Sequence, residues 1–337
     1  GLTCAAYLAR SGMSVKVVER RSVVGGAAVT EEFYPGFKNS TCAYTVGLLN
    51  SKVLEDLQLS RHGLSVVERP LSNFLPLEDG NFLRFYSDYE KMHDEVARFS
   101  IKDAEQISDY FDTIERLAHV LRKLVLKTPP NVGGGLLDLL RAYQHGRLLS
   151  SLNIEIQRDL ADILSMSAVD FLSRWFENDT VKTLFAFDGI VGTMASPYSP
   201  GTAYVLLHHC FGQVNGRSGV WGHPMGGMGA VSNAIASAAI ESGVKIEVST
   251  SVEKIVIKNG KVTGVQLKDG RIVEAKVVVS NVNPKLLFGE LVESDLLEPN
   301  FLKRISSINC GSGVFRMNVA LSELPNFSCM LKSEEID

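Results

Sequence analysis

The sequence predicts an α/β protein in which a nucleotide-binding type of βαβ domain is interrupted by a mostly helical α+β block. Three observations predict it. The first nineteen residues read as a helix, a glycine stop and a strand that closes on an acid. The middle of the chain carries apolar residues at helical spacing over long stretches. Beyond Gly216 a glycine-rich loop, a helix of small residues and an alternating meander bring back the α/β character.

Each element has its own warrant. Leu2, Ala5, Ala6 and Ala9 share one helix face, and Ser11-Gly12 supplies a stop. Val15, Val17 and Val18 make a short apolar strand ending at Glu19. A loop is expected from Gly25-Gly26 through Pro35-Gly36, then a short helix (Val53, Leu54, Leu57) and a strand from Leu64 to Val67. A hairpin with Asp79-Gly80 at its tip leads into amphipathic helices. In one, Ile107, Phe111, Ile114, Leu117, Leu121 and Leu124 line a face that Pro129-Pro130 ends. Ser167-x-x-Asp170 is a capping-box variant opening a helix with Phe171, Leu172 and Trp175. Gly219 to Gly229 feeds a helix over Ala230 to Ile240, which Gly243 stops ahead of a strand at Lys245 to Val248. The turns Asn259-Gly260 and Asp269-Gly270 separate alternating strands, a strong hairpin signal because both residues tolerate positive φ. Val277-Val278-Val279 is expected as a closing buried strand.

Composition narrows the function classes. At 337 residues and 45% hydrophobic content the chain can fill two cores. Net charge is −4 with both signs interspersed, which argues against nucleic acid as a partner. Cys4, Cys42, Cys210, Cys310 and Cys329 are scattered and never form C-x-x-C, so a disulfide scaffold, a zinc knuckle and a redox dithiol are all disfavoured and a reducing compartment fits. No run approaches the ~20 apolar residues that span a bilayer, leaving a soluble chain or one in peripheral membrane contact. The chain opens at Gly1 inside a helical pattern and closes on a polar stretch, so it is expected to be truncated at both ends.

The chemistry concentrates on glycines. In a dinucleotide-binding βαβ unit, glycines admit a pyrophosphate to the helix N-terminus, and an acid at the end of the second strand binds the ribose hydroxyls. Gly1 fits the last glycine of G-x-G-x-x-G and Glu19 fits the acid, with the preceding strand and glycines expected upstream. A bland helix-turn-strand with an exposed Glu explains the same residues. Gly25-Gly26, shortly after Glu19, fits the second phosphate-contact element found in many FAD proteins; an ordinary turn is the alternative.

The run Val18-Glu19-Arg20-Arg21-Ser22-Val23-Val24-Gly25-Gly26-Ala27-Ala28-Val29-Thr30-Glu31-Glu32, with Pro35-Gly36-Phe37 after it, resembles the phytoene desaturase and carotenoid isomerase family. Pro224-Met225-Gly226-Gly227-Met228-Gly229-Ala230 is similar to that family's P-x-G-G-M-G segment, and Val279-Ser280-Asn281-Val282-Asn283-Pro284 to its V-V-S-N-x-x-P close. The resemblance implies a Rossmann-like FAD-binding domain of the glutathione-reductase type, interleaved with a substrate domain, and the flavin ring between them. The expected division is 1–69 with 217–290 for FAD and 70–216 with 291–337 for substrate. By carry-over, Gly1, Glu19, Arg20, Gly25 and Gly26 would meet the adenosine and pyrophosphate, Met225, Gly226 and Gly227 would lie near the isoalloxazine, and Val252 would set its backbone against adenine. A plain core role for Val252 is the alternative.

The implied function is FAD-dependent hydride transfer with a small apolar substrate, as in desaturases and isomerases; flavin amine oxidation and a non-catalytic, partner-dependent flavoprotein are the alternatives. Disulfide reduction is disfavoured, because no paired cysteines and no second complete G-x-G-x-x-G are present. Flavin performs hydride chemistry itself, so a catalytic base is not obligatory; His223 is a weak candidate beside the glycine loop, against a surface role. His208-His209 lacks a third ligand, so no metal is expected. The stretch from Phe185 to Tyr204 could line an apolar pocket or form helical core. Family analogy implies the mitochondrial matrix.

Overall fold

The computed structural model describes residues 1–131 and 133–330. In chain order it contains α1 (Leu2–Arg10), β1 (Lys16–Val18), β2 (Thr30–Tyr34), β3 (Phe37–Ser40), α2 (Ser51–Asp56), β4 (Val66–Glu68), β5 (Asn73–Pro76) and β6 (Phe82–Phe85). A helical run follows: α3 (Tyr89–Ala97), α4 (Ile101–Val125), α5 (Leu136–Ser150), α6 (Ile154–Ser165), α7 (Ala168–Leu172), α8 (Asp179–Ala186) and α9 (Ala203–His208). Then come β7 (Gln213–Val214), β8 (Arg217–Ser218), β9 (Gly222–Pro224), α10 (Met228–Glu241), β10 (Lys245–Glu247), β11 (Val252–Lys258), β12 (Lys261–Leu267), β13 (Ile272–Glu274), α11 (Pro284–Leu286) and α12 (Pro299–Ser306).

These elements sort into two units that each use separated stretches of chain. One holds Gly1–Tyr44, Lys52–Ser65 and Pro224–Gly311; the other holds Thr45–Ser51, Val66–His223 and the described residues from Ser312. Each unit is discontinuous in sequence. Residues 291–311 go with the α/β unit because Val292, Leu287, Phe288, Leu291 and Leu297 pack onto Ile255, Val265 and Leu267 of the meander.

In the α/β unit, β1 runs parallel to β10, with Lys16 opposite Lys245 and Val18 opposite Glu247. Helices α1 and α10 pack together; buried Ala5 and Ala6 on one and Ala234, Ala238 and Ala239 on the other are the small residues that permit close approach. β11, β12 and β13 form the antiparallel meander, and Asn259 (φ 51°) and Gly260 (φ 70°) take the left-handed conformations its first turn demands. Two expectations fail here. The stretch after Gly25-Gly26 is not a continuous loop: β2 and β3 form a hairpin around Pro35-Gly36, where Gly36 takes φ 83°. Val277 to Val279 is not a buried strand: the segment is irregular and Val277 and Val279 are exposed, since no described strand lies beside it to complete a ladder.

The other unit is built on α4. Ile107, Tyr110, Ile114 and Leu117 recur at its apolar face and meet Phe171, Phe176, Leu184, Phe185 and Leu207. Phe176 and Phe185 stack at 4.8 Å, and Tyr110 sits edge-on to Phe185 at 5.1 Å. Burial of each such ring is worth roughly 1.5–3 kcal/mol. The capping box at Ser167 is present, with Asp170 N donating to Ser167 Oγ at 3.0 Å, but α7 ends at Leu172, so Trp175 lies beyond the helix. Of the 185–204 stretch, Phe185 and Ala203 are core while Ile190, Met194 and Tyr198 are exposed.

One buried acid ties this helical unit together. Asp103, in the first turn of α4 and fully buried, accepts from Glu177 N at 3.0 Å and Asn178 N at 2.9 Å. Asn178 in turn caps α8, its Oδ1 accepting from Thr180 N at 2.9 Å. Asp103→Ala would leave the part-buried N–H groups of Glu177 and Asn178 without their acceptor. Urea unfolding of the full chain should register a loss of about 2–4 kcal/mol, whereas an unchanged midpoint would mean that water reaches this junction.

Candidate functional site

The residues singled out by sequence divide between the two units. Gly1 is the N-cap of α1, and Ala5 N closes the first turn on its carbonyl at 2.9 Å. No side chain caps this helix and no acid stands in its first turn, so its leading N–H groups are available to an anion. Asn281 borders Gly1: a Cβ there would lie 3.1 Å from Asn281 Oδ1.

β1 delivers Glu19 next to the same helix. Its N–H extends the parallel ladder to Glu247 O at 2.9 Å, and its own carbonyl receives Thr250 N at 2.8 Å. Glu19 Oε1 accepts from Arg21 N at 2.9 Å, which orients the half-buried carboxylate and leaves Oε2 for an outside donor. Arg20 is exposed, with no hydrogen bond or ion pair among the described residues.

Gly25 and Gly26 form a turn with φ 128° and 59°, closed by Ala28 N to Gly25 O at 2.9 Å. No other residue type fits at Gly25: a Cβ would fall 2.5 Å from Ala28 O and 2.7 Å from Ser232 Oγ. Gly226 and Gly227 are also left-handed, at φ 86° and 76°, and Gly227 caps α10.

The structure brings these two glycine pairs to one end of α10. Three hydroxyls do it, and sequence reasoning missed all three. Ser232 Oγ donates to Ala28 O at 2.6 Å. Thr30 Oγ1 donates to Gly226 O and accepts from Gly229 N, each at 3.0 Å. Ser40 Oγ accepts from Met228 N at 2.9 Å. Nothing local marks Thr30, Ser40 or Ser232 as special, since their partners lie 188 to 204 residues away.

Met225 is exposed, with its N–H on Ser65 O at 2.9 Å. Val252 opens β11, and its side chain packs against the Ile255–Val265–Leu267 core. His223 lies on β9 in the other unit, where Arg69 Nε donates to its Nε2 at 2.8 Å.

Electrostatics single out two further places. Glu247, at the end of β10, binds Lys16 Nζ at 2.5 Å and Arg271 at 2.6 Å. Those bonds, Lys16 first, hold its carboxyl down at about 2. In the helical unit, burial raises Asp188 to about 7 and Cys210 to about 12, and lowers His209 to about 4. No group of three or more His, Cys, Asp or Glu able to hold a metal occurs among the described residues, and Cys4, Cys42 and Cys310 are exposed.

These features fit a dinucleotide: an uncapped helix start, an acid at the tip of the adjacent strand and a turn only glycine can make. They define an α/β nucleotide-cofactor protein. The flavin containing amine oxidoreductase family matches residues 1–314, and the chain belongs to that family; its cofactor is FAD. The chain is 38% identical over 342 residues to the rat "Pyridine nucleotide-disulfide oxidoreductase domain-containing protein 2", covering 97% of this chain and 59% of that one. It is 24% identical to a limonene dehydrogenase component of Castellaniella defragrans, covering 88% and 52%, and 25% identical to prolycopene isomerase 2 of an Oncidium hybrid, covering 90% and 50%. The chain thus spans between half and three-fifths of these relatives' lengths. A solved oxidoreductase from Methanosarcina mazei shares the fold, with a TM-score of 0.51 at 22% identity over 91% of this chain and 62% of that one.

The Glu247 cluster gives a pH signature. Its carboxyl is lower in the folded chain than its ordinary 4.5, so the stabilisation is complete above that value and disappears as pH falls toward 2. Thermal midpoints of Glu247→Gln and the parent should therefore differ at neutral pH and converge in acid. A difference independent of pH would remove the ion pairs from the account.

Proposed function

We propose that the protein is an FAD-dependent oxidoreductase that moves hydride between a small apolar substrate, at C–H or C=C bonds, and the flavin. The observation that carries this is the uncapped α1 start followed directly by β1 and its terminal Glu19. The N–H groups of α1 and the Gly25-Gly26 turn would bind the pyrophosphate, and Glu19 Oε2 would accept from the ribose. Gly226 and Gly227, pinned by Thr30, would hold backbone near the redox ring. Bound flavin supplies the hydride chemistry.

Support for an apolar substrate comes from relatives named for limonene and prolycopene. Amine oxidation is the second reading, favoured by the family's description. For the compartment we propose the mitochondrial matrix, on family analogy alone.

The deciding experiment mixes flavin-loaded protein with limonene or with benzylamine in the absence of oxygen. Bleaching of the visible flavin band by limonene is the expected result. Bleaching by benzylamine alone would transfer the assignment to amine oxidation. A band that dithionite bleaches and neither probe touches would count against catalysis on both classes and favour a flavoprotein acting through partners.

A further inference from the structure

Helix α5 is turned the wrong way round for a water-facing helix. A surface helix normally buries its apolar stripe and exposes its charges. In α5 no residue is buried, and Leu136 at 85%, Leu137 at 70%, Leu139 at 68% and Tyr143 at 65% are exposed. Besides Leu148, the less accessible positions are the polar Asp138, Arg141 and His145. They satisfy one another locally, Arg141 binding Asp138 at 2.9 Å and His145 Nδ1 lying 2.7 Å from Arg141 O. Leu126, at the end of α4, adds to the exposed apolar surface.

Charge says what covers this face. Residues 116–151 hold six cations (Arg116, Arg122, Lys123, Lys127, Arg141, Arg147) and one anion (Asp138), a net +5 in a chain of net −4. The rest of the chain therefore carries −9. Arg122 is engaged with Glu115 and Arg141 with Asp138, while Lys123, Lys127 and Arg147 form no ion pair among the described residues. Beside α5 runs a cavity of about 410 Å3, lined on its polar side by Glu115, Arg116, His119 and Lys123 and on its apolar side by Leu148, Leu152 and Ile156. Cations beside exposed leucines, with a tyrosine among them, match the two layers of a lipid surface: phosphate outside, acyl chain beneath. A second copy of this chain would bring the same cations against each other.

We propose that α5 lies in the headgroup layer of an anionic bilayer, its leucines inserted and Lys123, Lys127 and Arg147 on lipid phosphates. The surface belongs wholly to the helical unit and does not depend on flavin. No helix among the described residues is long and apolar enough to cross a membrane, so contact through α5 is peripheral.

Co-sedimentation of the full chain with vesicles of phosphatidylcholine, with and without phosphatidylglycerol, tests this. The chain should pellet with the anionic vesicles only, less so as salt rises. Leu137→Glu with Leu140→Glu, and separately Lys123→Glu with Lys127→Glu, should each weaken that binding about tenfold or more. None of these side chains is in the core, so circular dichroism and the melting midpoint should hold in both variants. A folded parent that ignores anionic vesicles would overturn the proposal. So would variants that bind undiminished, or a parent dimer that the leucine variant dissociates, which would assign the face to a second copy.

Discussion

The α/β unit depends on a clamp of three hydroxyls around the start of α10. Ser232, Thr30 and Ser40 hold the Gly25-to-Ser40 segment onto residues 226–232 across some two hundred positions of chain. The cost of closing so long a loop grows only slowly with its length, yet it must be met before these non-local bonds reward it. Each hydroxyl also satisfies a backbone group that a glycine-rich turn would otherwise leave open. The same bonds that close the unit therefore hold the glycines in left-handed conformations.

Around that clamp each charge has a distinct place. The α1 start is left without a cap, although Ser or Asp at such a position would stabilise the helix. Glu19 is oriented by a backbone N–H rather than neutralised by a cation, while the neighbouring Glu247 is held by Lys16 and Arg271. Two acids at the tips of adjacent parallel strands thus have different roles: one structural, one with an oxygen left to accept a further bond. In the helical unit burial disfavours the charged forms of Asp188, His209 and Cys210, and Lys123, Lys127 and Arg147 lie on the surface around α5.

Much of this was legible in the sequence. The period-3.6 stripe of α4, the Asn259-Gly260 turn and the small-residue face of α10 are local patterns, and the structure follows them. The FAD family was readable because its signal sits in short runs of glycine whose backbone needs are specific. The misses are non-local. The β2–β3 hairpin hides in the polar, weakly alternating run from Thr30 to Ser40, and only its partnership with α10 explains its order. Val277 to Val279 has the composition of a strand without a strand beside it. Thr30, Ser40 and Ser232 gave no sign at all, since a hydroxyl's role is set by what folding brings to it. Nor did composition show that α5 turns its leucines outward, because periodicity gives a stripe and not its direction.

The central claim is that the Gly25-Gly26 turn and the uncapped α1 form a working FAD cradle. Titration of FAD into the purified parent and into Gly25→Ala, followed by quenching of flavin fluorescence, tests it most directly. The account predicts that the parent binds and that Gly25→Ala, still folded by circular dichroism, binds about tenfold more weakly or worse, because its Cβ has no room against Ala28 and Ser232. A folded parent that takes up no FAD, or an alanine variant that binds as tightly, would contradict it.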